Sequence, residues 1–331
     1  RCLTIVRTGA HAYVKYDFET GYGSGGSANK KFGLQDKLTS LSLTHNRMNL
    51  AALNQNTIHK FAYGQQQGTA SMGFTLSSPW ILGAVLGTPA KTGSQSPYTY
   101  TYDQLFLHTP RTIRMEVGLG GATADILRTL KGCLVNNISI SAAVGGLVEC
   151  TADITYGQEI TSGASISGGS PSAPSQEFPY TFAHAELVLN DVIVAQCQDV
   201  SLSIAQNSEL LYKLGSHSAT DSYRRVLDIT GSFRASWLNK DLLAKLLQQI
   251  KADGSNSNAY SEVVDESSPT SKFKITFNNG ASEQIVIEMT GLSITDQAIS
   301  GIEPVEPIFE EINWQVKTIK VVAKSTLSAE P

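Results

Sequence analysis

The stretch Leu130–Gly157 reads LKGCLVNNISISAAVGGLVECTADITYG, and its polar and apolar residues take turns. Met289–Lys317, MTGLSITDQAISGIEPVEPIFEEINWQVK, has the same build: Gly, alternating strand, Gly/Pro-rich break, acidic alternating strand. Alternation at period two puts successive side chains on opposite faces of a strand, a pattern that a helix of about 3.6 residues per turn has no single face to bury. A chain that does this twice is held to sheets built in duplicate.

The duplication extends well beyond this pair. LTSLSLTHN (Leu38–Asn46) matches DVSLSIAQN (Asp199–Asn207), with Leu41 over Leu202, Leu43 over Ile204 and Asn46 over Asn207. Each is followed by a long polar excursion and then by a strand containing Gly, Gly68–Leu76 in one half and Leu227–Trp237 in the other. A helix signal comes next in both. In the first, Ser78 is the candidate cap, Pro79 suits the opening turn, Trp80 to Leu86 is apolar and Gly87 stops the run. In the second, Leu238, Leu242, Leu246 and Ile250 recur at i+4 and Gly254 ends the stripe. Strands TIRMEVGLG and KFKITFNN follow, and then the opening pair, with Gly132 over Gly291. Thr161–Pro179 is small, polar, rich in Gly and Pro and free of periodicity, as a linker would be. The expected division is a first domain at 1–160 whose residues 1–31 form an N-terminal arm, a linker at 161–179, and a second domain at 180–331 with a C-terminal tail.

Composition narrows the function classes. Charged residues make up only 16% of the 331 residues and the net charge is −4, which disfavours a sequence-independent nucleic-acid binder. No apolar run approaches the ~20 residues of a membrane span, and the start lacks a signal peptide's apolar segment, so synthesis in the cytoplasm is the default expectation. Cys2, Cys133, Cys150 and Cys197 show no CxxC and no His spacing that would build a zinc site. Small buried thiols are the simpler reading; a Cys133–Cys150 disulfide is the other. The six histidines are scattered, and no HExxH, GxSxG or GxxxxGK[ST] occurs. GYGSGGSANKKFG (Gly21–Gly33) reads as a flexible arm and GLGGAT (Gly118–Thr123) as a turn. The expectation is a protein that is not an enzyme and uses no cofactor or metal.

The strand faces say more. Ser40 and Ser42 oppose Leu41 and Leu43, Ser139 and Ser141 oppose Ile138 and Ile140, and Ser201 and Ser203 oppose Leu202 and Ile204. In the last strand of each half, Glu149 and Asp153, or Glu311, share a face with Thr, Asn and Gln, while Cys150, Ile154, Ile312 and Trp314 share the other. One face is aliphatic. The other carries hydroxyls, amides and a few carboxylates with hardly any Lys or Arg, although exposed strands usually carry long charged side chains that block edge pairing.

On these segments the chain resembles the tail tube proteins of long-tailed bacteriophages, in a version with two tube domains fused in one polypeptide. The resemblance covers Phe32–Gly157 and Phe182–Val322. It implies a mainly β (α+β) fold: two tandem β-sandwich or barrel domains, each with a flanking α-helix, whose sheets join into a continuous inner barrel. It implies a siphophage-like virion protein, assembled in the host cytoplasm, that partners itself and other tail proteins. Rings of six domains would need three duplicated chains. Viral DNA would pass through the lumen without specific binding. Ser40, Ser42, Ser139, Ser141, Glu149, Asp153, Ser201, Ser203 and Glu311 are the expected lumen lining, and Arg47–Gln67, Ser208–Arg225, the N-terminal arm and the tail after Ala323 are expected ring-to-ring contacts. The competing readings are a ring of a contractile tail or secretion system, a distal tail adaptor, and a two-domain β-sandwich adhesin.

Overall fold

The computed structural model describes residues 12–25, 28–51, 57–103, 110–119, 126–162, 179–189, 192–193, 197–236, 272–280, 282–300 and 308–327. The expected second helix, Cys2 and most of the expected linker lie outside these residues. Among the described residues there are twenty strands, β1 to β20 in chain order, one α-helix and two 3-10 turns.

The largest sheet contains 11 strands, and its main path is antiparallel throughout. In spatial order the path runs β2 (Leu34–Ala51), β3 (Ile58–Thr75), β8 (Glu149–Tyr156), β7 (Ile126–Ala143), β12 (Cys197–Ala205), β15 (Asp228–Ser236), β19 (Phe309–Val316) and β18 (Ser293–Ser300). The N-terminal part of β7 leaves this path to pair with β6 (Ile113–Leu119) and β9 (Gln158–Ser162), and β6 pairs with β1 (Ala12–Phe18). A 7-stranded sheet runs β11 (Val192–Ile193), β10 (Ala185–Leu189), β16 (Lys272–Asn278), β17 (Gln284–Thr290), β20 (Thr318–Ser325), β5 (Tyr98–Asp103) and β4 (Ala90–Thr92). A separate hairpin pairs β13 (Glu209–Leu211) with β14 (Asp221–Tyr223).

The order β2-β3-β8-β7 is repeated as β12-β15-β19-β18, and the registers repeat with it. Leu41 faces Ala70 as Leu202 faces Gly231, and Ala70 faces Ile154 as Gly231 faces Trp314. An extra residue bulges at Asn136 in β7 and at the corresponding Thr295 in β18. Thr295 therefore drops out of the simple alternation that the sequence suggests for this strand, because a bulge places two residues against one. Gly132 and Gly291 have φ of 61° and 70°. Both stand where the chain passes from one layer to the other, β7 within a single strand and β17 into β18 across Gly291. A left-handed backbone suits Gly at such a corner.

Two ladders join the halves: β7 with β12 in the large sheet, and β5 with β20 in the small one. The core lies between the layers and is largely aromatic and aliphatic, with Tyr16, Met72, Tyr102, Phe233, Phe273 and Trp314 buried. Each such side chain contributes roughly 1.5–3 kcal/mol by leaving water. A 3-10 turn (Trp80–Leu82) runs into α1 (Gly83–Leu86), which packs against β7 and β5, with every residue buried and Gly87 at φ 98° as the stop. The cap is Pro79, without a side-chain hydrogen bond, and not Ser78. So short a helix is held by packing: the Trp80 ring meets Tyr100 edge-on at 5.0 Å.

Several segments differ from the sequence reading. Residues 12–18, expected in an arm, form β1 with Tyr16 and Phe18 in the core, and Lys30 pairs with Asp17. Gly21–Ser24 makes a tight turn that lays Tyr22 against Gly132 and Gly157. Arg47–Gln67 is no loop around residues 47–51 and 58–67, where it continues β2 and β3 as a long hairpin. The start of the C-terminal tail is tied down, since the Tyr100 hydroxyl donates to the Leu327 carbonyl at 2.7 Å. Cys133 and Cys150 are free buried thiols, and burial pushes the pKa of both up.

Candidate functional site

Strand parity sorts the main path into two faces, and its registers line those faces up across both halves. On one face run Leu41, Ala70, Ile154 and Val135, and beside them Phe74, Cys150, Ile140, Leu202, Gly231 and Trp314. This face is packed against the second layer.

The other face is polar along its whole width. One row reads Gly73, Thr151, Ser139, Ser203, Thr230, Gln315 and Ser293; the next reads Thr75, Glu149, Ser141, Ser201, Ser232, Asn313 and Asp296. Ser40 faces Ser71, which faces Asp153; Ser42 faces Thr69; Glu311 faces Arg234 and Ala298. All nine residues singled out by the sequence thus lie on one continuous face, six of them exposed and Ser139, Ser201 and Ser203 half-buried. They do not converge on a point, as catalytic groups would.

The hydroxyls on this face bond to one another. Ser71 donates to Asp153 at 2.9 Å, Ser139 and Thr151 lie 2.6 Å apart, Ser201 and Ser232 2.8 Å apart, and Ser203 donates to Asn137 at 2.9 Å. Satisfied short side chains leave a smooth surface with few free donors. Among the described residues of these rows the acids are Glu149, Asp153, Asp199, Asp228, Asp296 and Glu311, and the bases are Lys37 and Arg234. Burial pushes the Asp199 carboxyl up, Glu311 adds to the rise, and Arg234 opposes it. Sequence reasoning passed over Asp199 and Asp228, although both sit two residues from the next face position of their strands, the same parity that identified Glu149 and Glu311.

Among the described residues no strand lies beyond β2 or β18, so the path ends in two edges. No group of three or more His, Cys, Asp or Glu there could hold a metal ion, and no described helix is long and apolar enough to cross a membrane.

A duplicated antiparallel wall with one greased face, one smooth polar face and two open edges has the build of a structural protein. The chain belongs to the phage tail tube protein family, which it matches over residues 9–316, nearly its whole length. It is thus a structural component of a phage tail tube, a family whose members assemble with themselves and with other tail proteins in the virion tail. No curated protein matches it.

Proposed function

We propose that each chain contributes two tube domains and that three chains close a pseudo-sixfold ring, with the polar face turned to the lumen. The observation that carries this reading is a difference between repeat counterparts. Ile140, inside the β7–β12 joint, is 3% exposed, whereas Ile299, its counterpart on the β18 edge, is 40% exposed. Leu202 is 1% exposed across that joint, and its counterpart Leu41 on β2 is only partly buried. An edge that repeats a buried joint and leaves its apolar residue in water is completed by another copy. β18 of one chain would pair with β2 of the next as β7 pairs with β12, bringing Ser300 opposite Ser40 and Ile299 opposite Leu41. The contact is head-to-tail, and closing it into a ring satisfies both edges.

The lumen of such a ring conducts DNA during ejection from a siphophage-like tail assembled in the host cytoplasm. Acids outnumber bases on the polar face, and phosphate repulsion reaches about 10 Å at 0.1 M salt, enough to hold a duplex off the wall. The test is a Ser300→Cys, Ser40→Cys double variant, oxidised and run on a denaturing gel alongside electron microscopy of the same sample. Covalent species that stop at three chains, from hollow rings, are the expected result. Ladders that run past three chains, or monomers from a sample full of rings, would refute it.

A further inference from the structure

The two halves meet in both layers, and the joint in the small sheet has a counterpart that stands open. There β5 of the first half pairs with β20 of the second, with Lys320 opposite Asp103, Val321 opposite Tyr102 and Val322 opposite Thr101. β5 stays anchored to its own half, where the Trp80 ring meets Tyr100. The first half thus lends a strand to the half that follows it.

The first-half counterpart of β20 is β9, and the ladders fix the correspondence residue by residue. Leu130–Glu159, Thr129–Ile160 and Arg128–Thr161 repeat Met289–Ile319, Glu288–Lys320 and Ile287–Val321. Yet β9 pairs only with β7 among the described residues, and no described strand covers its other edge. The side chains register the difference. Val321, with β5 alongside, is 0% exposed, while Thr161 at the same place on β9 is exposed. Ile160 beside it is 44% exposed. An edge of this kind presents unpaired N–H and C=O groups to any strand that can reach it.

The sequence holds one more strand of the right sort. Tyr98–Asp103, YTYTYD, comes between the first-half helix and β6; Tyr260–Asp265, YSEVVD, comes between the expected second-half helix and β16. Setting Tyr260 over Tyr98 and Asp265 over Asp103 stays within one residue of the separation between Leu41 and Leu202. Val263 and Val264 are strong strand formers.

We propose that the free edge of β9 is completed by Tyr260–Asp265 from the second half of the neighbouring chain in the same ring, with Ile160 opposite Asp265 and Thr161 opposite Val264. The occupant is a second copy because the strand that closes the matching edge of β20 comes from the half across the β7–β12 joint. For β9 the corresponding joint is β18 with β2, and the half across it belongs to another chain. The proposal rests on the ring reading and adds a second seam to it, in the outer layer behind the wall. Two ladders that must open together hold a ring shut more firmly than either alone, since each keeps the partners of the other close at hand.

The experiment uses the full chain on a Cys2→Ser, Cys197→Ser background. Ile160→Cys combined with Asp265→Cys is oxidised in assembled rings and run on a denaturing gel, since facing residues of a ladder stand close enough for a disulfide. Covalent species that rise to three chains are expected from rings and not from unassembled chain. In parallel, hydrogen exchange at Gln158–Ser162 should be at least about tenfold slower in rings than in unassembled chain. Val264→Pro, which removes a ladder donor, should abolish that slowing and leave the melting temperature of the unassembled chain unchanged. A bridge formed within one chain would overturn the proposal. So would unslowed exchange at β9, slowing that survives Val264→Pro, or rings that form the Ser300–Ser40 bridge without this one. Loss of both bridges would remove the ring reading and this proposal together.

Discussion

Ser141 of the first half lies directly opposite Ser201 of the second across the ladder that joins them. Neither hydroxyl bonds to the other: Ser201 turns to Ser232, and Ser141 points toward the Glu149 carbonyl. The joint is therefore made by the backbone ladder, by aliphatic packing of Ile140 and Leu202 on one face, and on the other by the Ser203–Asn137 hydrogen bond, with no side-chain code between the facing serines. A joint of this kind needs only a free strand edge and an apolar residue of suitable size, which β18 and β2 both present.

The polar face is expected to repel duplex DNA because its few charges are mostly acidic. Glu149→Lys and Glu311→Lys together change this balance at two exposed positions without touching the core. Tubes of this double variant should co-sediment with duplex DNA at 50 mM salt, and the bound fraction should fall about tenfold or more by 200 mM salt as counterions compete. Unaltered tubes should bind none at either concentration. Equal sedimentation by both would count against a lumen-facing position for these residues.

Gly132 and Gly145 both have positive φ, 61° and 84°, yet they should differ sharply on substitution. A Cβ at Gly132 would meet the Tyr22 ring at 2.4 Å, whereas at Gly145 nothing lies within 4 Å. Gly145→Ala should cost only backbone strain, about 1–2 kcal/mol. Gly132→Ala adds a clash with a half-buried ring and should cost about 3 kcal/mol or more in denaturant unfolding. Equal losses would mean that Tyr22 moves aside freely.

The fold was legible where side-chain parity decides the outcome. The alternation around Ser139 and Glu149, and the offset that puts Leu41 over Leu202 and Gly132 over Gly291, carried through to the strand registers. What stayed hidden depends on partners distant in sequence. Nothing local in residues 12–18 says that Ala12 to Phe18 will pair with Leu119 to Ile113. Nothing in the exposed residues Met48 and Phe61 says that a hairpin persists beyond its neighbours, since their mixture of polar and apolar residues suits a loop equally well. The capping role assigned to Ser78 failed because the short helix is held by its buried face. Along the candidate face, the parity rule recovered serines and carboxylates; the same rule sets Glu310 on the face of Ile312 and Trp314, but alternation alone gives no reason for a carboxylate to be there.

Glu310 occupies the buried face of β19, is 1% exposed, and has no hydrogen-bond partner for either carboxylate oxygen among the described residues. Burial pushes its carboxyl above the usual range. The folded state then holds the proton more tightly than the unfolded chain, so stability rises as pH falls from above the folded-state pKa toward the unfolded one. Replacing Glu310 by Leu should stabilise the protein at neutral pH by about 1–3 kcal/mol and remove that part of the pH dependence. Thermal unfolding of the two proteins between pH 4 and pH 8 reads both effects. A destabilised variant at neutral pH would show that the carboxylate has a partner in the folded chain.

The Arg128–Glu159 pair behaves in the opposite sense. Arg128 grips Glu159 through two nitrogens at 2.6 Å and 2.8 Å, and the Tyr156 hydroxyl lies 2.9 Å from Glu159 Oε2 and 2.9 Å from the Ser42 carbonyl. Burial alone would raise the Glu159 carboxyl, but the hydrogen bonds from Arg128 and Tyr156 and the Arg128 charge outweigh it and hold the carboxyl below its ordinary value. The unfolded chain therefore takes up a proton first as pH falls, so this stabilisation is present above the unfolded carboxyl range and is lost as pH drops through the folded value. Glu159→Gln keeps the shape and removes the charge, and should cost about 1.5–3 kcal/mol at neutral pH. That difference should shrink toward zero in acid. Arg128→Met should cost more, about 3 kcal/mol or above, because it strands a nearly buried carboxylate with only the tyrosine as donor. Since Tyr156 also ties β8 to β2, both substitutions should loosen the β2 edge, and hydrogen exchange at Ser42 and Leu43 should quicken before global unfolding does. Unchanged exchange at that edge, together with the expected loss of stability, would confine the cluster to holding β7 against β9.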